Sequence, residues 1–236
     1  MTASKRQDKV HFEFRDFVKS KYGNIFEYID QFPLWAGTQT MMRYLYIYER
    51  YRQSTSVPGD IVEFGTWRGA TAVFLAKCLE NFEPNSPKKV VVFDNFAGLP
   101  KPSGKDGSKA SDFTGHYKGD KQELQTILEK LDLTDRVVLV EGDAFSTVTN
   151  YFKKNNTTLV SLAYFDFDLY APTKAAYEAI NPRLSSGSQL VFDQGMSAEV
   201  WGEAVFVKEL IQSEGARFET LSNQISRQPE IALVVR

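Results

Sequence analysis

Residues 159–170 read LVSLAYFDFDLY. The apolar run LVSLA reads as the interior of a buried strand, which then ends in two carboxylates. Extended backbone points successive side chains to opposite faces, so Asp166 and Asp168 are expected to share one face with Tyr164 and Tyr170, while Phe165, Phe167 and Leu169 take the other. Two carboxylates about 7 Å apart on one face must meet water, a cation or hydrogen-bond donors, because desolvating each costs several kcal/mol. A strand end that merely reaches solvent would also satisfy them, so the rest of the chain has to decide.

Outward from this stretch, strands and helices alternate. Strands are expected at DIVEFG (60–65), KKVVVFD (88–94), RVVLVEG (136–142), TLVSLAYFDFD (158–168) and SQLVFD (188–193). Between and after them lie the helical patterns ATAVFLAKCLENF (70–82), KQELQTILEKLD (121–132), AFSTVTNYFKKN (144–155), PTKAAYEAINPRL (172–184) and AEVWGEAVFVKELIQSEG (198–215), with Pro172 suited to a first helical turn. ARFETLS and IALVVR form a closing pair of strands. Strand-helix repetition of this kind makes a doubly wound parallel α/β sheet, which binds ligands beyond the carboxyl ends of its strands. Those ends carry Glu63 with Gly65, Asp94, Glu141 with Asp143, Asp166 with Asp168, and Asp193. An acid at every end points to function and disfavours an anionic ligand.

Residues 9–55 read as helical and are expected to form an N-terminal cap (1–56) on the main domain (57–236). The segment FAGLPKPSGKDGSKASDFTGHYKG (96–119) is poor in periodic pattern and reads as a long structureless loop, of a kind that is usually a functional lid or disordered. The composition is 42% hydrophobic and 25% charged with a net charge of -2, which offers no field to recruit nucleic acid or an acidic membrane. Cys78 is the single cysteine, so an intrachain disulfide is impossible and a buried thiol is expected. MTASKRQDKV has no signal-peptide core and no run is long enough to span a bilayer, so a cytoplasmic protein is expected.

VEFGTWRGAT (62–71) reads as strand, glycine turn and helix start. Gly65 can take a backbone conformation closed to other residues, and Gly69 allows the first helical turn to approach the strand and a ligand closely. The spacing is not G-x-G-x-x-G, which argues against an NAD site. A positively charged nucleoside suits the acidic rim better: Asp94 to accept both ribose hydroxyls, Asp143 to accept the adenine amino group, and the Ala144 amide for a ring nitrogen. S-adenosylmethionine has these properties and carries no phosphate.

VPGDIVEFGTWRGAT (57–71), VVFDNFAGLPKP (91–102), EGDA (141–144), FDFDLYAPT (165–173) and SQLVFDQ (188–194) together resemble the successive motifs of the macrocin-O-methyltransferase family, which contains metal-dependent sugar O-methyltransferases of natural-product tailoring. The resemblance implies a Rossmann-like class I methyltransferase sheet of seven strands with the last antiparallel, and N-terminal helices that cover the cofactor and join subunits in a homodimer or higher homo-oligomer. It also implies Glu63, Gly65, Arg68, Gly69 and Thr71 around the methionine moiety, Asp94 at the ribose, and Asp143 with Ala144 at the adenine.

Asp166 and Asp193 end neighbouring strands, and with the amide oxygen of Gln194 they are expected to hold Mg²⁺, Ca²⁺ or Mn²⁺. The family's third protein ligand is a second Asp where this chain has Gln194; catechol O-methyltransferases resemble this arrangement with an Asp-Asn pair. Asp168 is expected to be the general base for an acceptor hydroxyl, or else to orient a metal-bound water. His116, in the lid, is a further catalytic candidate, whereas His11 reads as a packing or surface residue. Trp201 and Glu203 stand where the family has substrate-side residues. The expected reaction is methylation of a hydroxyl on a sugar or glycosylated natural product; the alternatives are a phenolic or catechol-type acceptor, or a non-catalytic partner subunit that binds S-adenosylmethionine.

Overall fold

A computed structural model describes residues 13, 15–21, 23–196, 201–223 and 228–236; His11 lies outside them. Seven strands form one sheet: β1 Asp60–Phe64, β2 Val90–Asp94, β3 Val137–Glu141, β4 Val160–Phe165, β5 Leu184–Phe192, β6 Phe218–Ser222 and β7 Ile231–Val235. Their order is β3-β2-β1-β4-β5-β7-β6, and β7 runs antiparallel to both neighbours. The expected class I topology is therefore present, and the strand order reverses between β1 and β4, where such sheets bind ligands.

The main helices are α1 Thr38–Ser54, α2 Ala70–Phe82, α3 Lys121–Lys130, α4 Ala144–Lys154, α5 Tyr170–Ile180 and α6 Gly202–Glu214. Strand alternation sorts the core into two layers. Val62, Phe64, Val91, Phe93, Phe165 and Phe192 face α4, α5 and α6 through Val148, Phe152, Tyr177, Ile180, Phe206 and Leu210. Ile61, Val92, Leu162, Tyr164 and Val191 face the other way, onto Ile47 and Tyr51 of α1, Leu75 and Leu79 of α2, and Leu124 and Leu128 of α3. Helix α1, from the expected cap segment, thus shares the core of the sheet. The helical pattern before it is broken into residues 15–21, Phe26–Ile29 and Phe32–Trp35, with Gly23, Pro33 and Gly37 at or beside the breaks. Cys78 is buried, as expected.

Two expectations need correction. β4 stops at Phe165, so strand alternation does not set the Asp166 and Asp168 side chains. The Asp166 amide still donates to Phe64 (2.8 Å), but then the chain turns tightly, with the Leu169 amide donating to the Phe167 carbonyl at 2.6 Å and Asp168 left-handed at φ 62. Residues 96–119 are also not structureless. They fold into a flap with a 3₁₀ turn at Ala110–Phe113, and paired Leu99–His116 and Gly115–Leu99 backbone bonds of 2.8 Å close it at its neck. Leu99 and Ala110 pack there with Leu169 and Trp201 in a small core of their own.

Candidate active site

The carboxyl ends of the central strands open into a cavity of about 810 Å³, a size typical of small-ligand sites. Glu63, Gly65, Arg68, Thr71, Asp94, Asp143, Ala144, Asp166, Asp168, Asp193 and Gln194 all line it. Gly69 and His116 do not: Gly69 is buried behind the wall, while His116 is exposed on the flap with its ring edge-on to Phe113. Glu141 turns outward to Lys121, 2.8 Å away, leaving Asp143 as the acid that β3 contributes. Trp201 and Glu203 lie behind the wall rather than in it.

The glycine turn after β1 is set by close approach. At Gly65 (φ 88) a Cβ would lie 2.1 Å from the Asp166 carbonyl oxygen, so this position admits no side chain. At Gly69 (φ 85) the neighbour is Leu124 of α3, at 2.3 Å. The left-handed backbone at this helix start is what favours glycine there, with the Leu124 side chain packed against it. Asp94 holds the turn from below. Its Oδ2 accepts the Thr66 and Trp67 amides at 2.7 and 3.2 Å, and its Oδ1 accepts the Phe96 amide at 2.7 Å. With two lone pairs per oxygen, Oδ1 has room for one more donor and Oδ2 for none. Asp143 caps α4 through the Phe145 amide at 3.1 Å, which leaves its other oxygen open at the rim.

Glu63 is fully buried and accepts the Thr66 hydroxyl at 2.7 Å. Burial pushes its carboxyl up to about 8, with the Asp94 charge adding to the effect. Asp168 is pushed up to about 7, by burial first and by the Asp193 charge second; a hydrogen bond from the Gln194 side chain opposes both. The Gln194 amide donates to Glu203 Oε1 at 2.9 Å, and the Glu203 amide donates to the Asp168 carbonyl at 3.0 Å. Glu203, whose Oε2 has no partner, therefore ties the start of α6 to both acid-bearing turns, and burial raises it well above the ordinary carboxylate range.

Sequence reading missed Arg43. It comes from α1, its Nη1 is 2.6 Å from Asp193 Oδ1, and its Nη2 is 3.5 Å from Asp166 Oδ2. The Tyr164 hydroxyl donates to the same Asp193 oxygen at 2.5 Å. Burial alone would lower the arginine pKa, but Tyr164, Asp193 and Asp166 together raise it, so the guanidinium stays charged. A signal did exist in TQTMMRYLYIYERYRQS, because helical spacing puts Arg43 in one stripe with the buried Ile47, Arg50 and Ser54.

The expected divalent-metal site does not fit this arrangement. Asp166 and Asp193 do converge, but on Arg43, whose guanidinium bridges them. Among the described residues, no group of three or more His, Cys, Asp or Glu is arranged to hold a metal ion.

A sequence profile of the family described as macrocin-O-methyltransferase (TylF) matches residues 36–210. The 8-demethyl-8-(2,3-dimethoxy-alpha-L-rhamnosyl)-tetracenomycin-C 4'-O-methyltransferase of Streptomyces olivaceus is 30% identical over 141 residues, 58% of this chain and 53% of that protein. The match thus spans about half the length of that relative. Mycinamicin III 3''-O-methyltransferase of Micromonospora griseorubida is 25% identical over 171 residues, 70% of this chain and 67% of its own. The crystal structure of CalS11, a calicheamicin methyltransferase, superposes with a TM-score of 0.77 at 29% identity, covering 98% of this chain and 92% of that one. The O-methyltransferase NovP, 20% identical with a TM-score of 0.68 over 82% of this chain and 79% of its own, shares the fold. With the family profile covering most of its length, this chain belongs to the macrocin-O-methyltransferase family.

Proposed function

We propose that this protein is an S-adenosylmethionine-dependent O-methyltransferase acting on a hydroxyl of a sugar in a natural product. The observation that carries the reading is the cavity at the sheet's switch point, whose wall brings together Glu63, Asp94, Asp143 and Asp168. That donor set suits a nucleoside bearing positive charge, because ionised carboxylates attract a sulfonium and an ammonium. The names of the two relatives, a 4'-O-methyltransferase on a rhamnosyl tetracenomycin and a mycinamicin 3''-O-methyltransferase, support a sugar hydroxyl as acceptor.

When bound, S-adenosylmethionine supplies a methyl group on sulfur for transfer to the acceptor oxygen. Asp94, with room for one donor at Oδ1, would accept a ribose hydroxyl, Asp143 would take the adenine amino group, and Glu63 with the turn at Gly65 would hold the methionine end. Asp168 takes the proton of the acceptor hydroxyl, a poor nucleophile at neutral pH until that proton begins to leave. A carboxyl raised toward neutrality is a stronger base than an ordinary aspartate, and Gln194 and Glu203 fix the turn that carries it. The flap, with Trp67 and Tyr117 edge-to-face at 5.8 Å at the mouth, shields the acceptor side from water.

The test is calorimetry with S-adenosylmethionine and with NAD, followed by mass spectrometry of a panel of deoxysugar glycosides after incubation. Binding of the former alone, and a mass gain of one methylene on a glycoside, are expected. Tight NAD binding with no affinity for S-adenosylmethionine would overturn the reading. Methylation confined to catechols would overturn its acceptor class.

A further inference from the structure

We propose that Arg43 takes the position of a divalent cation in this cavity, so that the protein neutralises Asp166 and Asp193 with its own guanidinium and binds no metal between them. Asp193 Oδ1 accepts two donors, Arg43 Nη1 at 2.6 Å and the Tyr164 hydroxyl at 2.5 Å. Both lone pairs of that oxygen are thereby used, so a cation that needs an oxygen ligand within about 2.0–2.6 Å could meet Asp193 only through Oδ2, beside the guanidinium already seated on Oδ1. Arg43 Nη2 reaches Asp166 Oδ2 at 3.5 Å, so one guanidinium bridges the two acids. Its Cζ lies 5.7 Å from the centroid of the Tyr164 ring, which holds the group over an aromatic face.

The guanidinium is anchored by the fold. Helix α1 carries Ile47 and Tyr51 into the core, one and two turns beyond Arg43, so the side chain does not reach in from a loose segment. A guanidinium does not lose its charge at any ordinary pH, and a divalent cation brought to the same acids would meet fixed repulsion. Gln194, whose backbone amide donates to Glu203 Oε1 at 2.9 Å, brings a neutral amide and no further negative charge to the pair.

This inference rests on the reading of the cavity as the methyl-transfer site for its catalytic meaning, but its test needs neither acceptor nor turnover, so the two can fail separately. The full chain is titrated with Mn²⁺ and followed by electron paramagnetic resonance and by thermal unfolding. The wild-type protein is expected to take up no stoichiometric Mn²⁺ at millimolar concentration and to unfold at the same temperature in EDTA. Removing the guanidinium in Arg43→Gln combined with Gln194→Asp is expected to create a site for one Mn²⁺ per chain, with an unfolding midpoint that rises on adding the metal. One Mn²⁺ bound per wild-type chain and lost in Asp193→Asn would overturn the proposal. A folded double variant that takes up no Mn²⁺ would overturn it as well. Should the double variant fail to fold, the wild-type titration decides by itself. Where methyl transfer is measured, EDTA is expected to leave the wild-type rate within about twofold.

Discussion

Asp168 combines three properties at one residue: a left-handed backbone, near-complete burial and a place on the cavity wall. An aspartate tolerates the left-handed region better than most side chains, at an expense of about 1 kcal/mol, and strain of this kind gathers at functional sites. Replacing Asp168 by Asn keeps the shape and removes the base. Turnover should fall by a factor of about 100 or more while S-adenosylmethionine affinity, read by calorimetry, changes by less than about threefold. Glu63 makes a separate prediction. Its folded value, about 8, lies above the ordinary glutamate value of 4.5, so between these limits the folded protein holds a proton that the unfolded chain has released. Stability from this group is therefore complete below about pH 4.5 and is lost as pH rises toward 8, by at most about 1.4 kcal/mol per pH unit. The unfolding midpoint of the ligand-free protein should fall between pH 6 and pH 8 by several degrees more in the wild type than in Glu63→Gln. Equal slopes in the two proteins would show that Glu63 is ionised in the fold.

The flap shows how a loop becomes an element. Its anchor is Asp106, whose Oδ1 accepts the Tyr170 amide at the first turn of α5 (2.8 Å) and whose Oδ2 accepts the Ser103 amide (2.6 Å). Asp106 thereby caps a helix from a distant segment, satisfying an amide that has no partner within the helix. Gly202 fits beneath it: a Cβ there would come 1.9 Å from Asp106 Oδ1, so the start of α6 must be bare where the flap crosses it. Asp106→Ala should lower stability by about 1–2 kcal/mol and speed amide hydrogen exchange across residues 99–117, with the sheet strands unaffected. Uniform protection across the flap in that variant would mean that the Leu99, Ala110, Leu169 and Trp201 cluster holds it without the cap.

At the scale of the whole molecule, the cavity draws its wall from α1, the β1 turn, the β2 and β3 ends, both acid-bearing turns and the flap. A ligand seated there touches nearly every layer, so binding stabilises the fold as a unit by mass action. S-adenosylhomocysteine at 100 times its dissociation constant should stabilise by about 2.7 kcal/mol and raise the unfolding midpoint by roughly 5–10 °C, whereas NAD at equal concentration should leave it unchanged. No described helix is long and apolar enough to cross a membrane.

Local pattern by itself determined the strand-helix order and the acids at the strand ends, because alternation and helical spacing are properties of neighbours in sequence, whereas the antiparallel last strand was implied only by the family resemblance. Those signals place Asp94, Asp143, Asp166 and Asp193 correctly at one end of the sheet. They could not show what each acid meets there. Gly69 faces Leu124, and Asp94 spends three lone pairs on amides of two different turns. The Asp166–Asp168 pair is set by a tight turn that alternation does not describe. Arg43 lies 150 positions from Asp193, and only the packing of α1 on the sheet makes them partners. Whether two carboxylates bind a metal depends on which charge reaches them first in space, and that is a tertiary fact.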